Sequence, residues 1–164
     1  MTITAFTAPD TGKGFVIYLV VYTEAGDSIQ SEHATIILGD VPNTPPTAPR
    51  KDAAASSGSK LLINYDTLAA SANGGLPLES YSLEIDDGVG GAFTILTGFT
   101  TASLASSHLV TTGISKGRSY RIRYRAKNAY GWSDYSATAT VLAAQAPAKP
   151  TSAPAVVSTS DSAI

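Results

Sequence analysis

The sequence predicts an all-β protein built from antiparallel sandwiches. Short segments of alternating apolar and polar residues recur along its 164 residues, and Gly, Pro, Asn or Asp separate them. Thr, Ser, Ala and Gly are abundant, whereas signals for helix starts are almost absent. Part of the sequence also repeats at a constant offset of 105 residues, as from Gly12 to Gly117, which is about the length of one sandwich domain.

Composition limits the classes of function that remain open. The chain is 43% apolar and 15% charged, which is typical of a globular protein. A net charge of -2 argues against nucleic-acid binding, because phosphate neutralisation needs a clustered basic surface. The sequence contains no cysteine, so disulfides and thiolate chemistry are excluded within it. Its longest apolar run, residues 15–22, is far shorter than the roughly 20 residues of a membrane helix.

The repeat divides the chain into three expected units. Residues 1–41 are the C-terminal part of one unit, 45–144 are a complete unit, and 147–164 are the N-terminal part of a third. Proline-rich linkers join them and, because proline restricts φ, these linkers are predicted to be stiff and extended. The matched pairs include Gly12/Gly117, Ile17/Ile122, Gly26/Gly131, Ser28/Ser133, Ser31/Ser136, Ala34/Ala139, Thr35/Thr140, Pro42/Pro147, Pro45/Pro150, Ala48/Ala153 and Pro49/Pro154.

In the first unit, residues 15–22 predict a strand that is apolar on both faces. Such a strand requires cover on both faces, so its outward residues are candidates for an interface with another subunit, another domain or a glycan layer. The alternative is an exposed apolar sheet with tyrosine hydroxyls in water. The candidate interface residues are Val16, Tyr18, Val20 and Tyr22, which stand where the complete unit carries Arg121, Arg123, Arg125 and Lys127.

In the first strands of the complete unit, inward apolar residues alternate with outward residues. Residues 60–65 predict one strand, and residues 73–78 turn the chain into the next. Residues 86–91 form a hairpin-type loop into a strand at 92–96, and residues 109–114 predict a further strand. The expected inward side chains are Leu61, Ile63 and Tyr65 on the first strand and Tyr81, Leu83 and Ile85 on the second.

Residues 120–127 form the clearest strand of the sequence. One face carries Tyr120, Ile122, Tyr124 and Ala126, and the other carries Arg121, Arg123, Arg125 and Lys127. We expect the first face to enter the core. Residues 115–119 turn the chain into this strand, and residues 128–131 turn it toward a last strand at 137–142.

This region resembles the end of a fibronectin type III domain. Its letters I-S-K-G-R-S-Y and N-A-Y-G-W-S match the patterns I-x-K-G-x-x-Y and N-x-x-G-x-S of that family. The resemblance covers essentially all of residues 45–144 and implies a seven-strand sandwich. It also implies that the hydroxyl of Tyr120 bonds to upstream backbone, whereas Phe15 holds that place in the first unit. Tyr65 stands where the family usually has tryptophan, and its hydroxyl needs a partner.

Trp132 begins the segment W-S-D-Y-S, which resembles the W-S-x-W-S box of cytokine receptor domains. Tyr135 replaces the second tryptophan of that box. An indole close to Arg121, Arg123 and Arg125 can stack with guanidinium planes, so we expect a structural cation–π ladder on the outer face. Receptor function, and stacking of a ligand or glycan on Trp132, are the alternatives.

No motif in the sequence predicts catalysis. There is no nucleophile elbow, phosphate loop or dinucleotide fingerprint, and His33 and His108 do not align under the repeat. Glu84, Asp86 and Asp87 lie beside glycines and could ligate calcium, but their spacing does not match a calcium loop, and Asp-Gly is ordinary turn chemistry. We expect no enzyme activity, no cofactor and no metal.

These features favour a non-catalytic structural or adhesive repeat module of a larger extracellular or cell-surface protein, arranged as a rod or filament. The expected partners are further copies of the repeat, in the same chain or in neighbouring chains. O-linked glycans on the Thr, Ser and Pro of the linkers are further candidates. The alternatives are spacer domains of a carbohydrate-active enzyme and an intracellular scaffold array.

Overall fold

The computed structural model describes residues 12–27, 29–145, 147 and 149–155. Apart from one short 3-10 turn at Ala70–Ala72, the regular structure of this part of the chain is β. None of its helical structure is long and apolar enough to cross a membrane. The strands are β1 (Gly14–Ile17), β2 (Tyr22–Thr23), β3 (Gly26–Asp27), β4 (Ala34–Ile37), β5 (Arg50–Lys51), β6 (Leu61–Asn64), β7 (Leu78–Ile85), β8 (Thr94–Thr97), β9 (Ser107–Val110), β10 (Ser119–Asn128), β11 (Gly131–Trp132) and β12 (Ala139–Leu142).

Strands β5 to β12 form an antiparallel sandwich of two sheets. The first sheet has the order β5–β6–β9, and the second has the order β8–β7–β10 with β11 and β12 both paired to β10. The longest pairing joins β10 to β7, from Ile122 opposite Ile85 to Asn128 opposite Leu78. The predicted all-β class and the antiparallel arrangement are confirmed.

The inward faces predicted from alternation form the core between the two sheets. Every second residue of β10, from Tyr120 to Asn128, is buried, and the residues between them are half-buried. Tyr65, Tyr81 and Tyr124 meet at the centre, with ring centroids 5.1 to 6.3 Å apart. The other side chains of this core cluster are Leu61, Ile63, Leu83, Ile85, Val110, Tyr120, Ile122, Ala126, Val141 and Ala143.

Two strands lie at different positions from those predicted. The strand expected at residues 109–114 is β9, which spans Ser107–Val110. The expected range includes Gly113, whose φ of 73° is incompatible with an extended strand. The strand expected at 92–96 is β8 and begins at Thr94. The preceding loop is longer because one carboxylate oxygen of Asp87 accepts bonds from the backbone N–H groups of Val89 and Gly91.

The strand predicted at residues 15–22 is interrupted. Strand β1 ends at Ile17, and β2 begins only at Tyr22. Between them the backbone N–H of Leu19 donates to the hydroxyl of Ser31 (2.9 Å), and the N–H of Ser31 donates to the carbonyl of Leu19 (2.9 Å). A serine hydroxyl therefore takes the place of a backbone carbonyl as the acceptor, and the regular pairing of β1 with β4 does not extend to Leu19.

The strand register of the first unit recurs in the complete unit. Strands β1 and β4 pair Gly14 with Ile37, and strands β10 and β12 pair Ser119 with Leu142, which lie 105 positions further along. The pairs of β2 with β3 and of β10 with β11 show the same relation. Ser136 also makes with Tyr124 the two bonds that Ser31 makes with Leu19. The offset seen in the sequence is therefore also the offset between hydrogen-bonded strand pairs.

Tyr65 buries a hydroxyl for which the described residues offer no hydrogen-bond partner. Burial raises the pKa of Tyr65 to about 12. Since an unpaired buried hydroxyl costs roughly 1–3 kcal/mol, we expect Tyr65→Phe to raise the free energy of unfolding by about 1 kcal/mol in urea titrations. The matched variant Tyr124→Phe removes a hydroxyl that donates to the carbonyl of Asp66 (3.0 Å), and it should lower stability instead. Equal losses in the two variants would contradict this interpretation.

Candidate functional site

Arginine and aromatic side chains alternate across the outer face of the second sheet, and we call this column the ladder. Its members are Phe93, Arg121, Arg123, Tyr135, Arg125, Trp132 and Phe99. The arginines stand on β10, because its odd-numbered residues point away from the core. The rings come from the segments flanking β8 and from the residues that follow β10.

The guanidinium groups lie between rings at cation–π distances. The guanidinium carbon of Arg123 is 3.7 Å from the ring centre of Tyr135 and 4.1 Å from that of Phe93. That of Arg125 lies 4.5 Å from the ring centre of Tyr135 and 4.9 Å from that of Trp132. Exposed cation–π pairs contribute about 0.5–1 kcal/mol and desolvated ones more, so these contacts stiffen the sheet together.

The structure brings the predicted ladder residues together in part. Trp132 meets Arg125 and stacks on Phe99 at a centroid distance of 5.6 Å and an interplanar angle of 18°. Arg121 instead turns toward Phe93, with 5.2 Å between the guanidinium carbon and the ring centre. It does so because its guanidinium donates to Asp86 (2.7 Å) and to a backbone carbonyl of the loop after β7 (2.7 Å).

Two rings of the ladder were not identified from the sequence. Phe93 and Phe99 flank β8. Phe93 ends the pattern D-D-G-x-G-G-x-F of residues 86–93, whereas Phe99 belongs to no motif, and neither ring was expected in the ladder. Their place beside the arginines depends on the pairing of β7 with both β8 and β10. The available signal was their position one residue before and two residues after the strand, which becomes informative only once the strand order is known.

A buried carboxylate, Glu84, anchors the ladder at its centre. One of its oxygens accepts bonds from Nε (3.0 Å) and Nη2 (2.8 Å) of Arg123, and the other accepts from the hydroxyl of Tyr135 (2.6 Å). Burial, followed by the contact with Glu84, raises the pKa of Tyr135. The side chain of Glu84 is only 8% exposed, so this charge depends on its partners.

Asp86 is the carboxylate that pairs with Arg121, as Glu84 pairs with Arg123. Its carboxylate accepts from the backbone N–H (2.8 Å) and Nε (2.7 Å) of Arg121 and from the N–H of Gly88 (3.0 Å). Burial by itself raises the pKa of Asp86, but these hydrogen bonds outweigh it and hold the pKa below its usual value. The carboxylates considered for calcium thus bind arginines and loop backbone, and the described residues contain no group of three or more potential ligands suited to a metal.

Tyr120 closes the turn that precedes β10. Its buried hydroxyl accepts from the backbone N–H of Ser115 (2.7 Å) and donates to the carbonyl of Gly113 (3.1 Å). This is the corner bond that the family resemblance implies. It ties the turn to the strand that carries the ladder.

We expect Tyr120→Phe to lower the free energy of unfolding by about 1 kcal/mol, because the N–H of Ser115 and the carbonyl of Gly113 lose their partner in the turn. Chemical denaturation would measure the loss. The control Tyr130→Phe removes the hydroxyl of a side chain of the same unit that is 57% exposed, and it should leave stability unchanged. A loss in the control as large as that in Tyr120→Phe would refute the corner interpretation.

The candidate interface residues of the first unit are largely open to solvent. Val16, Tyr18 and Tyr22 are 60%, 52% and 75% exposed, whereas Val20 is half-buried. The ring of Tyr18 meets that of His33 edge-on at 5.6 Å. Beside them lies an open groove of about 530 Å³, lined by residues of 16–19 and 31–34.

Comparisons with known proteins define the fold of the chain. No protein-family model and no curated protein is similar to this sequence. Similar solved structures include domains A168–A170 of titin (17% identity, TM-score 0.55, covering 70% of this chain and 37% of that one). A second is the FN1–FN3 domains of chicken CNTN1 (17% identity, TM-score 0.53, covering 79% of this chain and 44% of that one). A third is a human fourth FNIII domain (20% identity, TM-score 0.55, covering 70% of this chain and 88% of that one).

At these identities the likeness concerns the fold. The chain spans less than half the length of the titin and CNTN1 structures that it matches. Together with the two antiparallel sheets, the neighbours identify a β-sandwich of the fibronectin type III and immunoglobulin-like kind. The fold class expected from the sequence is therefore confirmed.

Proposed function

We propose that this chain is a non-catalytic structural or adhesive module of a larger repeat protein that forms a rod or filament. The observation that carries the proposal is the strand register of residues 14–37, which recurs 105 positions later in residues 119–142. A repeat retained in both sequence and pairing is typical of tandem domains. We assign residues 1–41 to the end of one unit, 45–144 to a complete unit and 147–164 to the start of a third; of these, residues 1–11, 28, 148 and 156–164 lie outside the described ones.

The ladder supports a mechanical role for the complete unit. Arg121 and Arg123 tie β10 to carboxylates of the neighbouring strand and its loop, and the phenylalanines beside β8 cover the arginines. These contacts connect three strands across the outer face of one sheet. A spacer module gains from this arrangement because side-chain contacts supplement the backbone hydrogen bonds between its strands.

The mass of the native polypeptide, measured by denaturing mass spectrometry on material from its source, tests the proposal. A tandem array requires a mass several times the 16.8 kDa of this chain. A 16.8 kDa polypeptide that sediments as a filament would mean that units are completed between chains. A 16.8 kDa polypeptide that sediments as a compact monomer would overturn the proposal.

We place the module at the cell surface or outside the cell, and we propose O-linked glycans on the exposed hydroxyl residues of its linkers, such as Thr44. Treatment of intact source cells with a protease should release fragments of the chain. Enzymatic removal of O-linked sugars should reduce the mass of the linker peptides. Protection of the chain until the cells are lysed would contradict the location, and unchanged peptide masses would contradict the glycans.

A second copy of the repeat is the partner that we propose for the apolar face of the first unit. At the equivalent positions the complete unit carries Arg121, Arg123 and Lys127, whereas the first unit carries Val16, Tyr18 and Tyr22. Replacing Val16, Tyr18 and Tyr22 by Arg, Arg and Lys, the residues of the complete unit, should shift the full chain from oligomer to monomer in sedimentation velocity experiments.

The matched control places the same charges on an exposed part of the complete unit, as Thr100→Arg, Thr101→Arg and Ala105→Lys. This control should sediment like the unmodified chain. Dissociation of both variants would mean that added charge alone prevents association. Sedimentation of the unmodified chain as a monomer would refute this partner.

A further inference from the structure

Residues 38–43 meet two loops of the complete unit, residues 72–76 and 128–131, which we call the socket. The backbone N–H of Asp40 donates to the carbonyl of Gly74 (2.9 Å), and the N–H of Asn43 donates to the carbonyl of Ala72 (2.9 Å). Backbone bonds of this kind hold a segment at one position along the loop. The linker is therefore bonded to the unit that it precedes.

Asn128 fastens this contact from within the socket. Its fully buried side-chain nitrogen donates to the carbonyls of Asp40 (2.6 Å) and Asn73 (2.8 Å). Its side-chain oxygen accepts from the backbone N–H groups of Tyr130 (2.9 Å) and Gly131 (3.2 Å). A buried amide is costly unless it is paired, and half of the pairing of this nitrogen comes from the preceding segment.

Glycines allow the backbones to approach closely at two separate points. A Cβ on Gly74, whose φ is 73°, would lie 2.1 Å from the carbonyl oxygen of Asp40. A Cβ on Gly39 would lie 2.6 Å from a side-chain methyl of Leu76, so at this glycine the linker backbone packs against side chains of the socket. At the second point a Cβ on Gly12, in the turn before β1, would lie 3.0 Å from the Cα of Gly75. Two separated contacts restrict rotation as well as translation.

We infer that the socket is a docking surface for the C-terminal end of the preceding unit and that it holds adjacent units at one fixed angle. A proline-rich linker alone would separate two units but leave the torsions before it free. The bonds to Asp40 use its backbone, so the socket accepts other residues at that position. In the proposed array, on which this extension rests, Gln145 lies 105 positions after Asp40 and offers its backbone N–H and carbonyl to the socket of a following unit.

The absence of cysteine allows a direct measurement of the angle. Spin labels on Thr35→Cys in the first unit and Thr101→Cys in the complete unit report one distance distribution by pulsed electron resonance; both positions are exposed. We expect a single narrow distribution in the full chain. Asn128→Ala should widen it by about two-fold or more, because the carbonyl of Asp40 loses its partner.

Asn64→Ala is the matched control, since it shortens a half-buried asparagine of β6, which has no part in the socket. It should leave the distribution narrow. Asn128 also supports its own loop, so Gly39→Val provides an independent variant that acts from the linker through overlap with Leu76 and Tyr130. It should widen or shift the distribution without changing the unfolding midpoint of the complete unit.

A broad distribution in the unmodified chain, or one that neither variant changes, would overturn the inference. The result is separable from that of the proposed array. A narrow distribution in a protein whose native mass is 16.8 kDa would support the fixed angle and contradict the array. A broad distribution in a long native polypeptide would support the array and contradict the fixed angle.

Discussion

Replacing Tyr124 by alanine should lower the free energy of unfolding of the complete unit by about 3–5 kcal/mol, the largest effect that we expect. The side chain is fully buried on β10, and the centre of its ring lies 5.1 Å from the ring centre of Tyr65 and 6.3 Å from that of Tyr81. Truncation would leave a cavity between the two sheets. It would also remove the hydroxyl that donates to the carbonyl of Asp66, which joins the sheets across the core.

Guanidinium titration followed by tryptophan fluorescence measures this loss, because Trp132 is the single tryptophan and reports on the second sheet. Leu104→Ala is the control. It truncates an apolar side chain that is 57% exposed, so its effect should stay within about 0.5 kcal/mol. A loss below about 1 kcal/mol for Tyr124→Ala would mean that the three tyrosines do not form the centre of the core.

Replacing Glu84 by alanine should lower the free energy of unfolding by about 3 kcal/mol, the second largest effect. Removing one member of a buried ion pair costs about 3–5 kcal/mol, and the lower end applies because the side chain of Arg123 is 29% exposed. The change also removes the acceptor of the Tyr135 hydroxyl. Two rungs of the ladder would thus lose the group that positions them.

Glu79→Ala tests whether this loss depends on burial. Glu79 lies on the same strand as Glu84 and pairs with Lys127 at 3.3 Å, but the two side chains are 45% and 40% exposed. Its loss should cost at most about 1 kcal/mol, since solvent screens the pair. Equal effects of the two substitutions would show that Glu84 acts as an ordinary surface charge and that the ladder needs no anion.

The two units keep one strand register while their outer faces differ. Strand β1 and the first half of β10 pair with their neighbours in equivalent positions, yet Val16 stands in the place of Arg121 and Tyr18 in the place of Arg123. The register therefore does not depend on the outer side chains. It follows from groups that both units retain, among them the serine that bonds across to Leu19 in one and to Tyr124 in the other.

The core and its strands could be predicted from local patterns. Alternation identified the core-facing side chains of β6, β7 and β10, because side chains of an extended strand point to opposite sides in turn. It did not show that the outward side chains of β7, such as Glu84, are buried as well. Strand ends did not follow from alternation, because the backbone conformation of single residues, such as the φ of 73° at Gly113, limits how far a strand can extend. The 105-residue offset was visible in the letters and recurs in the hydrogen bonds.

The partners of the ladder and of the socket were decided by the tertiary structure. Arg123 lies 39 positions from Glu84, and Asn128 lies 88 positions from Asp40, so no local period relates them. The guanidinium of Arg121 binds Asp86 and does not stack on Trp132, because strand pairing places the carboxylate of Asp86 beside it. The alternation of one strand determines which way its side chains point. Only the order and register of neighbouring strands determine what those side chains meet.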